Sequence, residues 1–161
     1  MKKNKNIQIA IFFIVLCLAI QIIGGYWTKG TVSTWYPTLV KPSWNPPDWV
    51  FGPVWSCLYL MIAVSGWLIY KAKSSPKRDL ALIFYAIQLG LNFIWTFLFF
   101  SLRSPILGLI DISLLCLCIG LTIIYSWKVR PLAALLLVPY LIWVMYATTL
   151  NAGIVFLNRY T

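Results

Sequence analysis

Asp48, Asp79 and Asp111 are the only acidic side chains among 161 residues, and histidine is absent. A paired general acid and base requires two titratable groups that converge, and these three aspartates fall in three separate segments. Without histidine the commonest general base, haem axial ligand and zinc ligand is missing, so metal catalysis is not expected. No glycine-rich phosphate loop is present, and no serine or cysteine has a recognisable activating base. Dehydrogenase, kinase and hydrolase readings fail on those grounds. What the chain holds in excess is aromatic surface, with nine Trp, nine Tyr and nine Phe. Indoles offer a large flat apolar face and one N–H donor, so the chemistry in prospect is the binding of a flat apolar molecule.

The spacing of these residues gathers them into stripes. Gln88, Asn92, Trp95 and Phe99 follow one another at steps of four, three and four, which places them on one face of a helix. Trp143, Ala147 and Asn151 do the same at steps of four, and Ala147 leaves room beside the indole. Trp55 and Tyr59 are one turn apart. The stretch Trp35 to Tyr59, WYPTLVKPSWNPPDWVFGPVWSCLY, carries four tryptophans and five prolines. Prolines lower the entropy of a loop held in one shape and tryptophans give it apolar faces, so this segment is expected to lie over a cavity as a lid. Asp111 sits about two turns, roughly 10 Å, inside an apolar run. There it is either a functional intramembrane carboxylate or a hydrogen-bonding contact between helices, through a Trp N–H or a Tyr hydroxyl.

The elements that position these residues are membrane spans. Hydrophobic residues make up 61% of the chain and charged ones 10%, far from a soluble balance. Five runs, about 7–27, 49–70, 80–102, 105–127 and 132–157, are long enough to cross a hydrocarbon core as helices, for which roughly 20 apolar residues suffice. They are too long and too uniformly apolar for barrel strands. The expected fold is all-α, one domain over 1–161, with residues 28–48 as the lid loop. The net charge of +10 sits at the ends of the runs rather than in a patch, which argues for topology and against nucleic acid. With the N-terminus cytoplasmic, Lys2, Lys3, Lys5, Lys71, Lys73, Lys77, Arg78, Lys128 and Arg130 lie inside, and Lys29, Lys41, Arg103 and Arg159 outside, with the C-terminus. This follows the positive-inside bias. Trp27, Trp67 and Trp127 fall near span ends as interfacial anchors, whereas Trp55, Trp95 and Trp143 lie too deep for that role. All four cysteines lie within spans, so no disulfide framework is expected.

The residues Trp35-Tyr36, Lys41-Pro42-Ser43-Trp44-x-Pro46-Pro47, Phe51-Gly52-Pro53-Val54-Trp55, Leu58-Tyr59, Asn92-Phe93-x-Trp95, Asp111, Pro139-Tyr140-x-x-Trp143 and Ala147-Thr148-x-Leu150-Asn151 together resemble the tryptophan-rich sensory protein or translocator protein family (TspO/MBR, the peripheral-type benzodiazepine receptor). The resemblance runs from the first span to Asn151. It implies a five-helix membrane bundle, often dimeric, with the first loop capping a pocket. It also implies binding of porphyrins such as protoporphyrin IX, of benzodiazepine-type and isoquinoline carboxamide ligands and, in animals, of cholesterol. Carried over, the pocket comprises Tyr36, Trp44, Pro46, Trp55, Tyr59, Asn92, Trp95, Phe99, Trp143, Ala147 and Leu150. The sterol-recognition pattern of animal members has a Tyr directly after the Leu-Asn pair; here Ala152 follows Asn151.

The expected function is a receptor, sensor or carrier in a bacterial cell membrane that binds a porphyrin and requires no other cofactor. Lys29 and Lys41 are placed to meet its propionates. One alternative is light-dependent porphyrin degradation, with Trp55 and Trp143 as catalytic candidates acting as redox partners. Another is a lipid or sterol carrier. Ala86 and Gly90 form a small-xxx-small step that suits a homodimer or, equally, helix packing within one bundle.

Overall fold

The computed structural model describes residues 2–159, save the side chains of Lys2, Lys3 and Lys5. Among these residues the chain is all-helical, with α1 Lys2–Val32, α2 Phe51–Lys71, α3 Pro76–Thr96, α4 Pro105–Trp127 and α5 Pro131–Leu157. All five are long and apolar enough to cross a membrane. Neighbouring helices run in the order α1, α2, α5, α4, α3 and back to α1, closing a ring.

The helix starts follow from local sequence. Proline occupies the first turn of α3, α4 and α5, where its missing N–H costs nothing. Ser75 caps α3 by accepting from Arg78 N at 3.3 Å, and Ser104 caps α4 by accepting from Leu107 N at 3.4 Å. Asp79 lies in the first turn of α3, where its charge suits the helix dipole. The chain reverses from α3 to α4 through Arg103, whose φ of 50° is left-handed.

Two boundaries differ from expectation. The first helix continues past Trp27 to Val32, because Thr28 and Thr31 bond back to carbonyls of their own helix and so keep the polar turn helical. Residues 28–32 of the expected lid are therefore helix, and the connecting segment begins at Ser33, with short 3-10 turns at Tyr36–Thr38 and Asp48–Val50. The third helix ends in a π-helical turn, Phe97–Ser101, and such wide turns re-aim the side chains they carry.

The core draws on all five helices, around Cys17, Ile62, Ile69, Tyr85, Leu89, Leu115, Ile119, Leu137 and Tyr140. Gly66 allows this close packing: a Cβ there would come within 2.7 Å of Phe13 Cδ1 and closer still to the Tyr85 ring. Tyr85 cannot retreat freely, since its hydroxyl donates to Ile62 O at 3.0 Å. Gly66→Ala is expected to destabilise the bundle by about 1–3 kcal/mol through overpacking, seen as a lower thermal midpoint in detergent. Gly120→Ala is the control, because nothing lies within 4 Å of its added Cβ.

Candidate functional site

The ring of helices encloses a cavity of about 360 Å³ at the end of the bundle where α1 finishes and α2 begins, within the size range of small-molecule sites. Its deep wall is aromatic. Trp55 and Tyr59 come from α2, Asn92 and Trp95 from α3, Phe99 from the π turn, and Trp143, Ala147 and Leu150 from α5. The connecting segment adds Tyr36. Nine of the eleven expected binding residues therefore share one cavity wall.

Trp44 and Pro46, expected in the pocket as part of the lid, are not among the residues that line it. The loop is drawn across α5 instead. Trp44 O accepts from Tyr146 Oη at 2.7 Å, and a Cβ on Gly153 would meet the Trp44 ring at 3.5 Å. Pro46 turns its carbonyl to Asn45 Nδ2 at 3.0 Å. Asn158 holds the start of the loop with two bonds to the Val40 backbone, 3.0 Å to its N and 2.9 Å to its O.

Each aromatic wall is held by specific contacts. Trp95 stacks on Phe99 with centroids 5.1 Å apart and planes 19° from parallel, and its indole N–H donates to Asn151 Oδ1 at 3.4 Å. Asn151 Nδ2 in turn donates to Pro105 O at 2.7 Å, so one amide ties α3, α4 and α5 together. Gly108 makes room for it, because a Cβ there would lie 2.9 Å from Asn151 Oδ1. On the other side, Tyr59 Oη donates to Asn92 Oδ1 at 2.5 Å and Asn92 Nδ2 donates to Tyr140 Oη at 2.8 Å. Trp55 packs against both tyrosine rings, 5.6 Å from Tyr59 and 6.3 Å from Tyr140. Trp143 leans on Phe51 and Tyr146, and its buried Nε1 has no hydrogen-bond partner in the protein. Indole N–H groups usually find a partner when buried.

The mouth carries charge of both signs. Lys41 Nζ sits 4.1 Å above the Tyr36 ring, and Asp48 lines the cavity. Burial, with a smaller push from Asp48, raises the Tyr36 phenol above its ordinary value, so it stays neutral through the physiological range. Lys29 is elsewhere, in a shallow depression with Tyr26, Trp27, Gly30 and Ser101.

Asp111 is buried, 5% exposed, but does not line the cavity, and its Oδ2 has no partner. Among the described residues no Trp N–H or Tyr hydroxyl reaches that oxygen. Gln88 shares the α3 stripe yet also stays out of the cavity, fully buried with both amide atoms unpaired.

The α1 face of the cavity was not anticipated. Gln21, Gly24, Gly25, Thr28 and Val32 line it. A signal was present, since Gln21 is the polar break in an apolar run and Gly24, Gly25 and Thr28 follow at helical spacing.

Comparison with known proteins agrees with this architecture. The TspO/MBR family profile matches residues 13–157. The chain is 43% identical over 162 residues to the tryptophan-rich protein TspO of Chlorobaculum tepidum, covering 96% of this chain and 99% of that one. It is 39% identical over 131 residues to the human translocator protein, covering 80% and 78%. To the tryptophan-rich sensory protein of Cereibacter sphaeroides it is 36% identical over 124 residues, covering 77% of each. A five-helix ring around an aromatic cavity, together with a match over nearly its whole length, places this multi-pass membrane protein in the TspO/MBR family.

Proposed function

We propose that the cavity binds a metal-free porphyrin of the protoporphyrin IX type and that the protein acts as its membrane receptor or carrier. The observation that carries this reading is the cavity wall shared by the deep indoles of Trp55, Trp95 and Trp143. Flat aromatic faces offer stacking at low entropy cost. The test is titration of detergent-solubilised protein with protoporphyrin IX. Saturable quenching of tryptophan fluorescence at one ligand per chain supports the reading, and a linear unsaturable response contradicts it.

The mouth sets a preference that can be measured. Porphyrin propionates would find one favourable charge at Lys41 and one unfavourable charge at Asp48. Lys41→Ala is expected to weaken binding and Asp48→Asn to strengthen it, each by about two- to fivefold, since rim charges are worth roughly 0.2–1 kcal/mol. Both effects should shrink in high salt. Equal affinities in the two variants would remove the propionates from the mouth.

A second reading, light-dependent degradation of the bound porphyrin, is favoured by the oxidisable rings in contact at Trp55, Tyr59 and Tyr140. Illumination of the complex under oxygen tests it, through the appearance of a ring-opened, bilin-like absorbance. A lipid or sterol occupant is the third reading, tested by competition with porphyrin. For placement we adopt a bacterial cell membrane with the N-terminus cytoplasmic, supported by the basic residues at that end of the bundle. Ala86 and Gly90 are both exposed on α3, which supports a homodimer through that face.

A further inference from the structure

Gly25 of α1 and Gly52 of α2 both line the cavity, and both are exposed. Neither glycine is required by the backbone, since no glycine has a positive φ among the described residues. Packing does not require them either, because a Cβ added at either meets nothing within 4 Å. Glycine inside a helix costs about 1 kcal/mol relative to alanine, so Gly25 in mid-α1 is unfavourable for the helix itself. What both positions provide is open space beside the cavity.

The surroundings of that gap differ sharply along the seam. Toward the N-terminal end of α1 the seam is filled, with Phe13 against Tyr70 at a centroid distance of 6.3 Å. Next comes a polar tie, Gln21 Nε2 donating to Ser56 Oγ at 2.9 Å. Beyond the tie lie Gly24, Gly25 and Gly52. Ile22, Ile23 and Tyr26 are exposed around them, so the gap faces acyl chains. The roof, in contrast, is fastened to α5 by the Tyr146 bond to Trp44 and by the paired Asn158 bonds to Val40.

We propose that the seam between α1 and α2 at Gly25 and Gly52 is a side doorway through which the cavity exchanges a flat apolar ligand with the bilayer, with the Gln21–Ser56 hydrogen bond as its sill. This rests on the ligand reading above. An apolar ligand dissolved in the membrane reaches Trp55 and Trp143 by this route without crossing the pinned polar loop.

The experiment compares the wild-type chain with Gly25→Leu, Gly52→Leu and Asn158→Ala in lipid nanodiscs, using stopped-flow quenching by protoporphyrin IX. The leucine side chains enter open space, so both variants should fold, checked by circular dichroism and thermal midpoint. The doorway predicts that association and dissociation rate constants fall together, each by about tenfold, so that their ratio moves far less than either. Asn158→Ala, which loosens the roof, should leave both rates close to wild type. Unchanged rates in the leucine variants, or faster exchange in Asn158→Ala, would overturn the doorway in favour of the loop. A loss of affinity through faster dissociation alone would overturn it too, since the new side chain would then be competing inside the cavity. If the wild-type chain itself shows no saturable quenching, the porphyrin reading fails first and the doorway with it.

Discussion

Trp143→Leu is expected to weaken protoporphyrin IX binding by roughly 2 kcal/mol, about thirtyfold, the scale of a buried aromatic anchor. The indole makes no hydrogen bond within the protein, so its removal deprives the fold of packing alone, namely ring contacts with Phe51 and Tyr146 and contact with the hydrophobic core. The ligand loses a stacking face. Trp143→Phe keeps a smaller face and should fall between wild type and the leucine variant. Trp49 is 75% exposed and does not line the cavity, so Trp49→Leu should bind like wild type. Fluorescence titration gives the affinities, and thermal unfolding in the same detergent confirms that each variant is folded.

Asn92→Leu should be the most damaging polar replacement for stability, by about 2 kcal/mol. Asn92 satisfies the hydroxyls of Tyr59 and Tyr140 on two other helices, and all three residues are buried. Leucine has a similar volume but leaves both hydroxyls unpaired. An orphaned buried polar group costs about 1–3 kcal/mol, moderated within a membrane by partners found in the unfolded state. Removing every member of the network is less harmful than removing its centre. The triple variant Tyr59→Phe, Asn92→Leu, Tyr140→Phe should therefore recover much of the loss. Unfolding in graded denaturing detergent measures the difference, and a triple variant no more stable than Asn92→Leu alone would show that the damage is steric.

The five spans were legible in the sequence because hydrocarbon thickness sets a length that the apolar runs of this chain meet. The deep indoles were legible for a related reason: Trp55, Trp95 and Trp143 stand too far from the span ends to serve as interfacial anchors, and all three line the cavity. The α1 wall was harder to read, since hydropathy marks a helix as membrane-spanning without saying which face meets lipid. Trp44 and Pro46 belong to a loop whose path is fixed by distant partners, Tyr146 and Asn158, and composition holds no record of such pairings. Lys29 was placed with the lid, yet the extra turn of α1 carries it to another surface. The π turn that presents Phe99 is a shift in hydrogen-bond register, one that residue types alone do not announce. Asp111 is as deep as its position suggested, but its Oδ2 is without the expected donor.

We propose that a flat ligand sits against the deep indoles. It is tested most directly by the indole N–H spectrum of uniformly ¹⁵N-labelled protein in detergent micelles, where nine tryptophans give nine resolvable signals once assigned by substitution. Added protoporphyrin IX should move the Trp143, Trp55 and Trp95 signals along one saturable curve. Signals from the exposed Trp49 and Trp127 should stay in place. Movement confined to Trp49, Trp127 or Trp44, with the three deep signals fixed, would contradict the account.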